Sequence, residues 1–523
     1  MSNHSRLLPT LAVFVCVLLA SCASLPENYV RKPSWKLDAS EAKLALAFDE
    51  ELAAHPGQSG AYPLNQGMEA LAARVVLART AEKSLDVQYY IWHADESGKL
   101  LIKELLDAAD RGVRVRLLLD DIGVGAADDE AFLLLDSHPN LSVSLFNPIA
   151  LRGSRKMGLL ADPRRLNHRM HDKSMTADNT LSVLGGRNVG NEYFGLNELT
   201  NFVDMDAFVV GPVAGEVTDS FDVFWNSPAS IPISAFHKEH ASPEEYARAR
   251  EKLDDYVREN CGPYYAAMRS TSFTLELKDH ELNFYWGNIA VLYDLPEKSG
   301  GGTSSEKLLQ QLGNMLGKAQ SDLFIISPYF VPGEAGTSRL VAAVQRGVRV
   351  RIVTNSLAST DVGAVHAGYK KYRRELLEGG VELFEMMPSL NIDAEDAGNF
   401  SFTGSSAASL HAKTFIFDRQ RVFIGSMNLD PRSVDINTEI GLLIDSPPLA
   451  QQLELNFEKM LGNACYSVVL EPKNPARPEA GQRLVWIEHN QGEEIRYAKE
   501  PNTTTWQRFS VGLIGLLPVE SQL

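Results

Sequence analysis

The residues best able to do chemistry occur twice, in the same order. His171, Lys173, Asp178, Gly185, Gly186 and Asn188 lie in HDKSMTADNTLSVLGGRN, and His411, Lys413, Asp418, Gly425, Ser426 and Asn428 lie in HAKTFIFDRQRVFIGSMN. Both strings read His-x-Lys, four residues, Asp, six residues, then Gly-Gly or Gly-Ser, one residue and Asn. Two copies at identical internal spacing are not a chance match. On a strand, His and Lys at i and i+2 point to one face, so imidazole and ammonium project together. The glycines let backbone come close to a bound ligand, and the Asn amide donates a hydrogen bond. Two imidazoles, two ammoniums and two amides converging on one point suit a phosphate whose transition state gathers negative charge on its oxygens. Single histidines in such a chain are ordinarily structural, and His138, His168 and His366 are read that way. No CxxC pair, His-rich tract or matching carboxylate set accompanies the motifs, so neither a metal nor a cofactor is expected.

The elements that must position these residues are also duplicated. LDVQYYIW (Leu85–Trp92) is followed by a helical stretch with apolar Leu100, Leu101, Leu105, Leu106 and Ala109, then by RGVRVRLLLDD (Arg111–Asp121). DLFIISPYFV (Asp322–Val331) leads through an apolar-faced stretch to RGVRVRIVTNS (Arg346–Ser356). Each reads strand, helix, strand, the βαβ unit of a parallel or mixed sheet. His171 and His411 are offset by nearly the same distance as the two RGVRVR strings, so the motif belongs to a duplicated domain rather than a solenoid. The expected fold is α/β: two mixed β-sheets flanked by helices, packed around a pseudo-twofold axis with the site at their interface. The two domains are placed at 66–228 and 306–461. Between them, 229–305 reads as a helical insert, opened by Ser242-Pro243-Glu244-Glu245, and a flexible linker over Pro296–Ser305. An N-terminal extension covers 22–65 and a C-terminal extension 462–523.

A chain of 523 residues is long enough for two such domains, and its 44% apolar and 22% charged residues exclude a disordered or disulfide-scaffold protein. Fifty Lys plus Arg against 67 Asp plus Glu leave a net charge of −17, which argues against a nucleic-acid partner. Two basic clusters stand out: Arg152, Arg155, Lys156, Arg164, Arg165 and Arg169, and Lys370, Lys371, Arg373 and Arg374. They fit either a face that meets anionic lipid headgroups or ordinary solvated charge. At the N-terminus, Arg6 and the apolar run Leu7–Leu19 have the shape of a signal peptide over 1–21. Leu19-Ala20-Ser21-Cys22 resembles the bacterial lipobox, which makes Cys22 the lipidated first residue of the mature chain; the alternative is an ordinary signal cut nearby. Ala23 in place of Asp favours sorting to the outer membrane over the inner one. Cys16 leaves with the signal, and Cys261 and Cys465 are either one disulfide or two buried thiols. Near the end, Trp506, Phe509, Val511, Leu513, Ile514, Leu516 and Leu517 form an apolar segment too short to span a bilayer. It packs on the core or lies in a membrane interface.

With these residues in place, the sequence resembles the phospholipase D superfamily, whose signature is a pair of HKD motifs, and within it bacterial cardiolipin synthases of the C type. The likeness runs from Gln66 to Leu461 and is carried also by GGRNVGNEYFG (Gly185–Gly195), NSLASTDVGAVHAGY (Asn355–Tyr369) and IGSMNLDPRSVDINTEIG (Ile424–Gly441). The resemblance implies a membrane-anchored phosphatidyltransferase acting on phospholipids. Phosphatidylglycerol is the acceptor, phosphatidylglycerol or phosphatidylethanolamine the donor, and cardiolipin the product. His171 would form a phosphohistidine, and His411 would protonate the leaving alkoxide and deprotonate the acceptor. Lys173, Lys413, Asn188 and Asn428 would hold the phosphoryl oxygens. An acidic residue about thirty positions after each histidine orients that imidazole in the family, which points to Asp204 and Glu439. Asp178 and Asp418, with Gly185, Gly186, Gly425 and Ser426, would support the motif; Gly186 departs from the Ser common there. The competing readings are a hydrolytic phospholipase D releasing phosphatidic acid, a nuclease, and a non-catalytic lipid-binding protein. The sequence leaves the need for a protein partner open.

Overall fold

The computed structural model describes residues 24–522 apart from 30–32, 126–127, 238–240, 280, 301–305, 389–406, 475, 478–480, 491 and 518–519. The lipobox and Cys22 lie outside the described residues. The first half supplies strands β1 (Ser59–Leu64), β2 (Ser84–Tyr89), β3 (Arg114–Asp120), β4 (Leu141–Phe146), β5 (Ser174–Ala177), β6 (Leu181–Gly185), β7 (Thr200–Val203), β8 (Asp206–Val210) and β9 (Ser230–Pro232). Strand β10 (Tyr285–Tyr293) follows the intervening helices. The second half supplies β11 (Asp322–Ile326), β12 (Arg349–Asn355), β13 (Glu382–Met386), β14 (Ala407–Leu410), β15 (Thr414–Phe417), β16 (Arg421–Gly425), β17 (Ile440–Asp445), β18 (Cys465–Pro472), β19 (Gln482–Asn490) and β20 (Glu493–Tyr497).

The two βαβ readings hold in register. β2 pairs parallel to β3, and β11 parallel to β12, with the predicted helices Glu96–Asp110 and Gly333–Gln345 crossing between them. The first sheet runs β9-β4-β3-β2-β5-β6-β8-β1, and the second β17-β16-β15-β11-β12-β13-β18-β19-β20. The third arginine of each RGVRVR string shows why that string recurs. Arg116 is buried against Asp86 at 2.6 Å, and Arg351 is buried against Asp322 at 2.7 Å, each pairing β-strands across the sheet. A buried cation needs such a partner, so the string and the acidic residue on the neighbouring strand go together. Gly112 and Gly347 take positive φ of 93° and 92° at the same turn before these strands, a conformation glycine adopts without steric cost.

Two parts of the expected insert differ from the sequence reading. The helix Pro243–Asn260 forms with a complete Ser242–Glu245 capping box. However, 229–305 is not only helical: β10 lies within it, pairing first with β1 through Tyr285–Gly287 and then with β17 through Asn288–Tyr293. It joins the two sheets into one hydrogen-bonded surface. The start of the expected linker is also ordered, because Lys298 is buried and donates to Asp294 at 2.7 Å and to the Ser433 carbonyl at 2.9 Å.

Cys261 and Cys465 are free buried thiols in separate core clusters, which resolves the disulfide alternative against pairing. The basic clusters are largely consumed by local acids. Arg169 is buried on Asp120 at 2.8 Å, Arg152 and Arg155 meet Asp121, and Arg165 meets Asp162. Arg373 is buried between Glu385 and Glu500, while Lys370, Lys371 and Arg374 pair with Glu500, Glu520 and Glu378. Their reading as a headgroup-binding face fails for Arg169 and Arg373. Among the described residues no helix is long and apolar enough to cross a membrane.

Candidate active site

Each His-x-Lys leads into a strand instead of lying within it. β5 begins at Ser174 and β15 at Thr414, so the histidines precede the ladder. Their backbone is held instead by the opposite half: His171 N–H donates to the Thr438 carbonyl at 3.0 Å, and His411 N–H to the Val203 carbonyl at 2.7 Å. Met170 bridges Thr438 in parallel sense, and β14 pairs parallel with β7, Leu410 opposite Val203. In both places the next residue of the partner segment carries the acid. Glu439 therefore meets His171 Nδ1 at 2.8 Å, and Asp204 meets His411 Nδ1 at 2.5 Å. This corrects the expected pairing: each acid orients the imidazole of the other half, not the one thirty residues before it.

With Nδ1 occupied by a carboxylate, each imidazole keeps Nε2 for a substrate. The rings are further fixed by aromatic edges, Tyr90 at 5.1 Å from His171 and Tyr193 at 5.3 Å from His411. Phe202 lies 5.0 Å from His411. Burial and the nearby Lys173 and Lys413 charges push His171 well below its ordinary pKa. Burial and Lys413 also lower His411, but Asp204 opposes them and favours its protonated form.

The two lysines are buried, and neither pairs with a carboxylate among the described residues. Lys173 Nζ donates to the His171 carbonyl at 2.5 Å, and Lys413 Nζ donates to that of His411. Burial lowers Lys173 to about 7 and Lys413 to about 8, so both ammoniums are under-compensated and favour an incoming anion. The asparagines differ. Asn188 accepts from Ile91 N–H at 3.1 Å and donates to the Tyr193 hydroxyl at 3.0 Å. Asn428 Oδ1 is buried without a hydrogen-bond partner among the described residues.

The supporting residues act on the protein itself. Asp178 accepts three backbone N–H groups from Glu82, Lys83 and Ser84, which fixes the start of β2. Asp418 does the same for Gln320, Ser321 and Asp322 at the start of β11. Contrary to the expectation from sequence, the glycines do not serve close approach of a ligand. A β-carbon on Gly185 would lie 2.3 Å from Asp206 Oδ1, and one on Gly425 would lie 2.5 Å from the Ile440 carbonyl. They are small because a neighbouring strand passes there. Ser426 donates to Glu439, whereas at Gly186 the Asp204 carboxylate fills the space of the missing side chain. His138, His168 and His366 bond Asp110, the Ile436 carbonyl and Glu500, away from the paired imidazoles.

Sequence reasoning did not single out Tyr90, Tyr193 or Phe202, although all sit beside motif residues. It also missed a cavity of about 1110 Å³ lined by Trp92, Glu192, Leu199, Phe202, Asp361 and Ser409, whose wall residue Phe202 lies 5.0 Å from His411. His93, Asp95 and Glu192 cluster on its wall with ligand-type atoms within 4.8 Å of one another. Asp95 is engaged with Ser97, Gly98 and Asn191, and Glu192 with His93, so these carboxylates already serve local structure.

The geometry can be set beside known proteins. The family described as cardiolipin synthase, PLD-like domain matches residues 76–225 and again 312–461. Cardiolipin synthase C of Escherichia coli (strain K12) is 42% identical over 481 residues, covering 91% of this chain and 99% of that one. An uncharacterized protein of Helicobacter pylori (strain ATCC 700392 / 26695) is 34% identical, covering 88% and 89%. A crystal structure of phosphatidylserine synthase from Haemophilus influenzae Rd KW20 superimposes with a TM-score of 0.53 at 16% identity, over 77% of this chain and 87% of that one, and so shares the fold. With two matched domains, one motif in each and the two motifs meeting in a single site, the chain belongs to the cardiolipin synthase, PLD-like domain family of the phospholipase D superfamily.

Proposed function

We propose that this phosphatidyltransferase forms cardiolipin in two steps through a phosphatidyl-histidine. The observation that carries the reading is the pair of imidazoles, each with Nδ1 held by an acid of the other half, beside two buried ammoniums that form no direct ion pair with a carboxylate among the described residues. In the first step His171 Nε2 attacks the donor phosphorus. The bond to the headgroup alcohol breaks, and His411 gives that oxygen its proton. In the second step His411 takes the proton of the phosphatidylglycerol hydroxyl as that oxygen attacks phosphorus, and His171 leaves. Atoms balance with glycerol or ethanolamine as the released alcohol, according to the donor. Lys173 and Lys413 stabilise the charge on the phosphoryl oxygens in both steps. On this reading the Asn188 and Asn428 amide N–H groups turn to the phosphoryl oxygens when ligand binds; here the Asn188 amide donates to the Tyr193 hydroxyl.

Water in place of the acceptor would yield phosphatidic acid. Transfer wins only if the site holds a lipid hydroxyl in line against roughly 55 M water, an effective-molarity advantage of the kind known to be worth about 7–11 kcal/mol. The large cavity beside His411 supports room for a second lipid. Purified protein in vesicles of phosphatidylglycerol and phosphatidylethanolamine should make more cardiolipin than phosphatidic acid. Phosphatidic acid as the main product would leave a hydrolase, and DNA cleavage without lipid turnover would leave a nuclease.

The same reading places the protein in the bacterial envelope, facing the periplasm and held in the outer membrane by lipid on Cys22. The lipobox string supports it. Mass spectrometry of the mature N-terminus should find acylated Cys22; an unmodified N-terminus at another residue would remove the anchor.

A further inference from the structure

The helix Thr505–Ile514 has two apolar faces where a surface helix has one. Val511 is buried on Leu357 and Ala367, with Ile514 beside it. On the opposite side, Trp506, Phe509 and Leu513 recur at helical spacing and are exposed, and Leu516 and Leu517 continue the stripe past the last turn. Trp506 is 73% exposed and Leu516 80%. A contiguous outward stripe of this kind marks a surface that meets an apolar partner.

Position and charge identify the partner. Val511 lies 3.5 Å from where a β-carbon on Gly363 would sit, so the helix adjoins the loop whose residues Ala358–Asp361 line the cavity beside His411. Two more exposed apolar side chains, Ile122 and Leu199, line the same cavity. In a chain of net charge −17, the stretch Pro501–Pro518 contains no acidic residue and one cation, Arg508. An anionic surface is therefore not repelled there. Tryptophan beside leucines on an uncharged stripe is the composition that settles at a bilayer interface. A second copy of the chain docked at this place would stand beside the opening through which lipids must pass.

We infer that Trp506, Phe509, Leu513, Leu516 and Leu517 insert into the lipid interface and turn the cavity beside His411 toward the headgroups. The inference rests on the phospholipid-transferring reading for its purpose, but binding can be measured without turnover. The full lipid-anchored protein is reconstituted in phosphatidylglycerol vesicles containing brominated acyl chains, and tryptophan emission is compared for the parent and Trp506→Phe. Phenylalanine preserves the apolar contact and the fold. The brominated lipid should quench the parent, and most of that quenching should disappear in the variant. No quenching of the parent, or equal quenching of both, would overturn the inference. So would a parent dimer that Phe509→Ser/Leu513→Ser converts to a monomer while the Trp506 quenching difference is missing. The same double variant should turn over vesicle lipid about tenfold more slowly and short-chain monomeric phosphatidylglycerol at the parent rate. Absence of any parent turnover would remove the cardiolipin reading and leave the quenching result intact.

Discussion

In the first motif Gly186 leaves room that the Asp204 carboxylate fills; in the second, Ser426 occupies the equivalent place and donates its hydroxyl to Glu439. The shorter acid lies 2.5 Å from His411, and the longer one 2.8 Å from His171. Burial alone would raise both carboxyls. The charge of His411 nevertheless holds Asp204 well below the usual carboxylate range, while Glu439 is left at about 7. Ser433 also donates to Glu439, so that acid is shared among three side chains, while Asp204 bonds one side chain among the described residues, His411, and its other oxygen accepts the Met205 N–H. Two half-sites built from one duplicated plan thus treat their imidazoles differently. Burial and the two lysine charges favour neutral His171, as the proposed nucleophile requires. His411 has the stronger counter-charge and is the better holder of a proton. Duplication supplied two like half-sites, and on the proposed mechanism the small changes behind the imidazoles divide their work.

The strongest way to break this comparison is to remove each imidazole. His171→Ala and His411→Ala should each lower turnover by roughly 10³-fold or more, and the double variant should lose little beyond the worse single one, because the two act as a unit. A donor with a nitrophenol leaving group separates them. His411→Ala should still release nitrophenol in a burst, since that leaving group needs no acid, and His171→Ala should not. Equal bursts from both variants would end the division of labour.

Removing the counter-charges comes next. Asp204→Asn should cost about 10²-fold and Glu439→Gln less, because only His411 has to carry a proton into the first step. Equal losses, or the reverse order, would argue that the acids merely orient the rings.

The paired motifs are legible in the sequence because their spacing repeats, and their strand, helix, strand setting is legible because RGVRVR and its acidic partners repeat with them. The crossed acids are not legible. His411 and Asp204 are 207 residues apart, and their meeting depends on the parallel pairing of Leu410 with Val203, which no local pattern announces. A count of thirty residues finds the right acids and attaches them to the wrong rings. Strand β10 is hidden for a different reason. Its half-buried YWGNIAVLY stretch lies between a strongly capped helix and a glycine run, and its two partners are far away in the chain. The basic clusters misled in a third way, since the acids that bury Arg373 come from β13 and from Glu500 in the C-terminal extension.

Titration sharpens the comparison further. As pH rises, His411 first loses the proton it donates, and through about 7 and then about 8 Lys173 and Lys413 lose their ammonium charges, so kcat/KM should fall in successive steps on that alkaline side. As pH falls below about 6.5, His171 takes a proton at its nucleophilic nitrogen only well under its ordinary value, so the acid limb should be displaced downward. A bound phosphodiester favours both ammoniums, so the alkaline limb of kcat should lie at higher pH than that of kcat/KM. Superimposed limbs would argue that the lysines do not touch the phosphate.

The smallest effect expected is at the position that differs between the motifs. A serine at Gly186 would place its side chain against Asp204, so Gly186→Ser should slow turnover about tenfold, with Ser426→Gly milder. Steady-state rates on vesicle substrate decide it, and a harmless Gly186→Ser would mean that the Asp204 position is not constrained.

The central claim is that His171 alone carries the phosphatidyl group. Mixing His411→Ala protein with a nitrophenyl phosphatidyl donor, quenching, and locating the adduct by peptide mass spectrometry tests it directly, because loss of His411 should slow breakdown of the intermediate more than its formation. The account predicts stoichiometric phosphatidyl on the peptide containing His171, and none on the His411 peptide of the converse His171→Ala protein. A stable adduct on His411 in that converse protein, with none on His171, would contradict it.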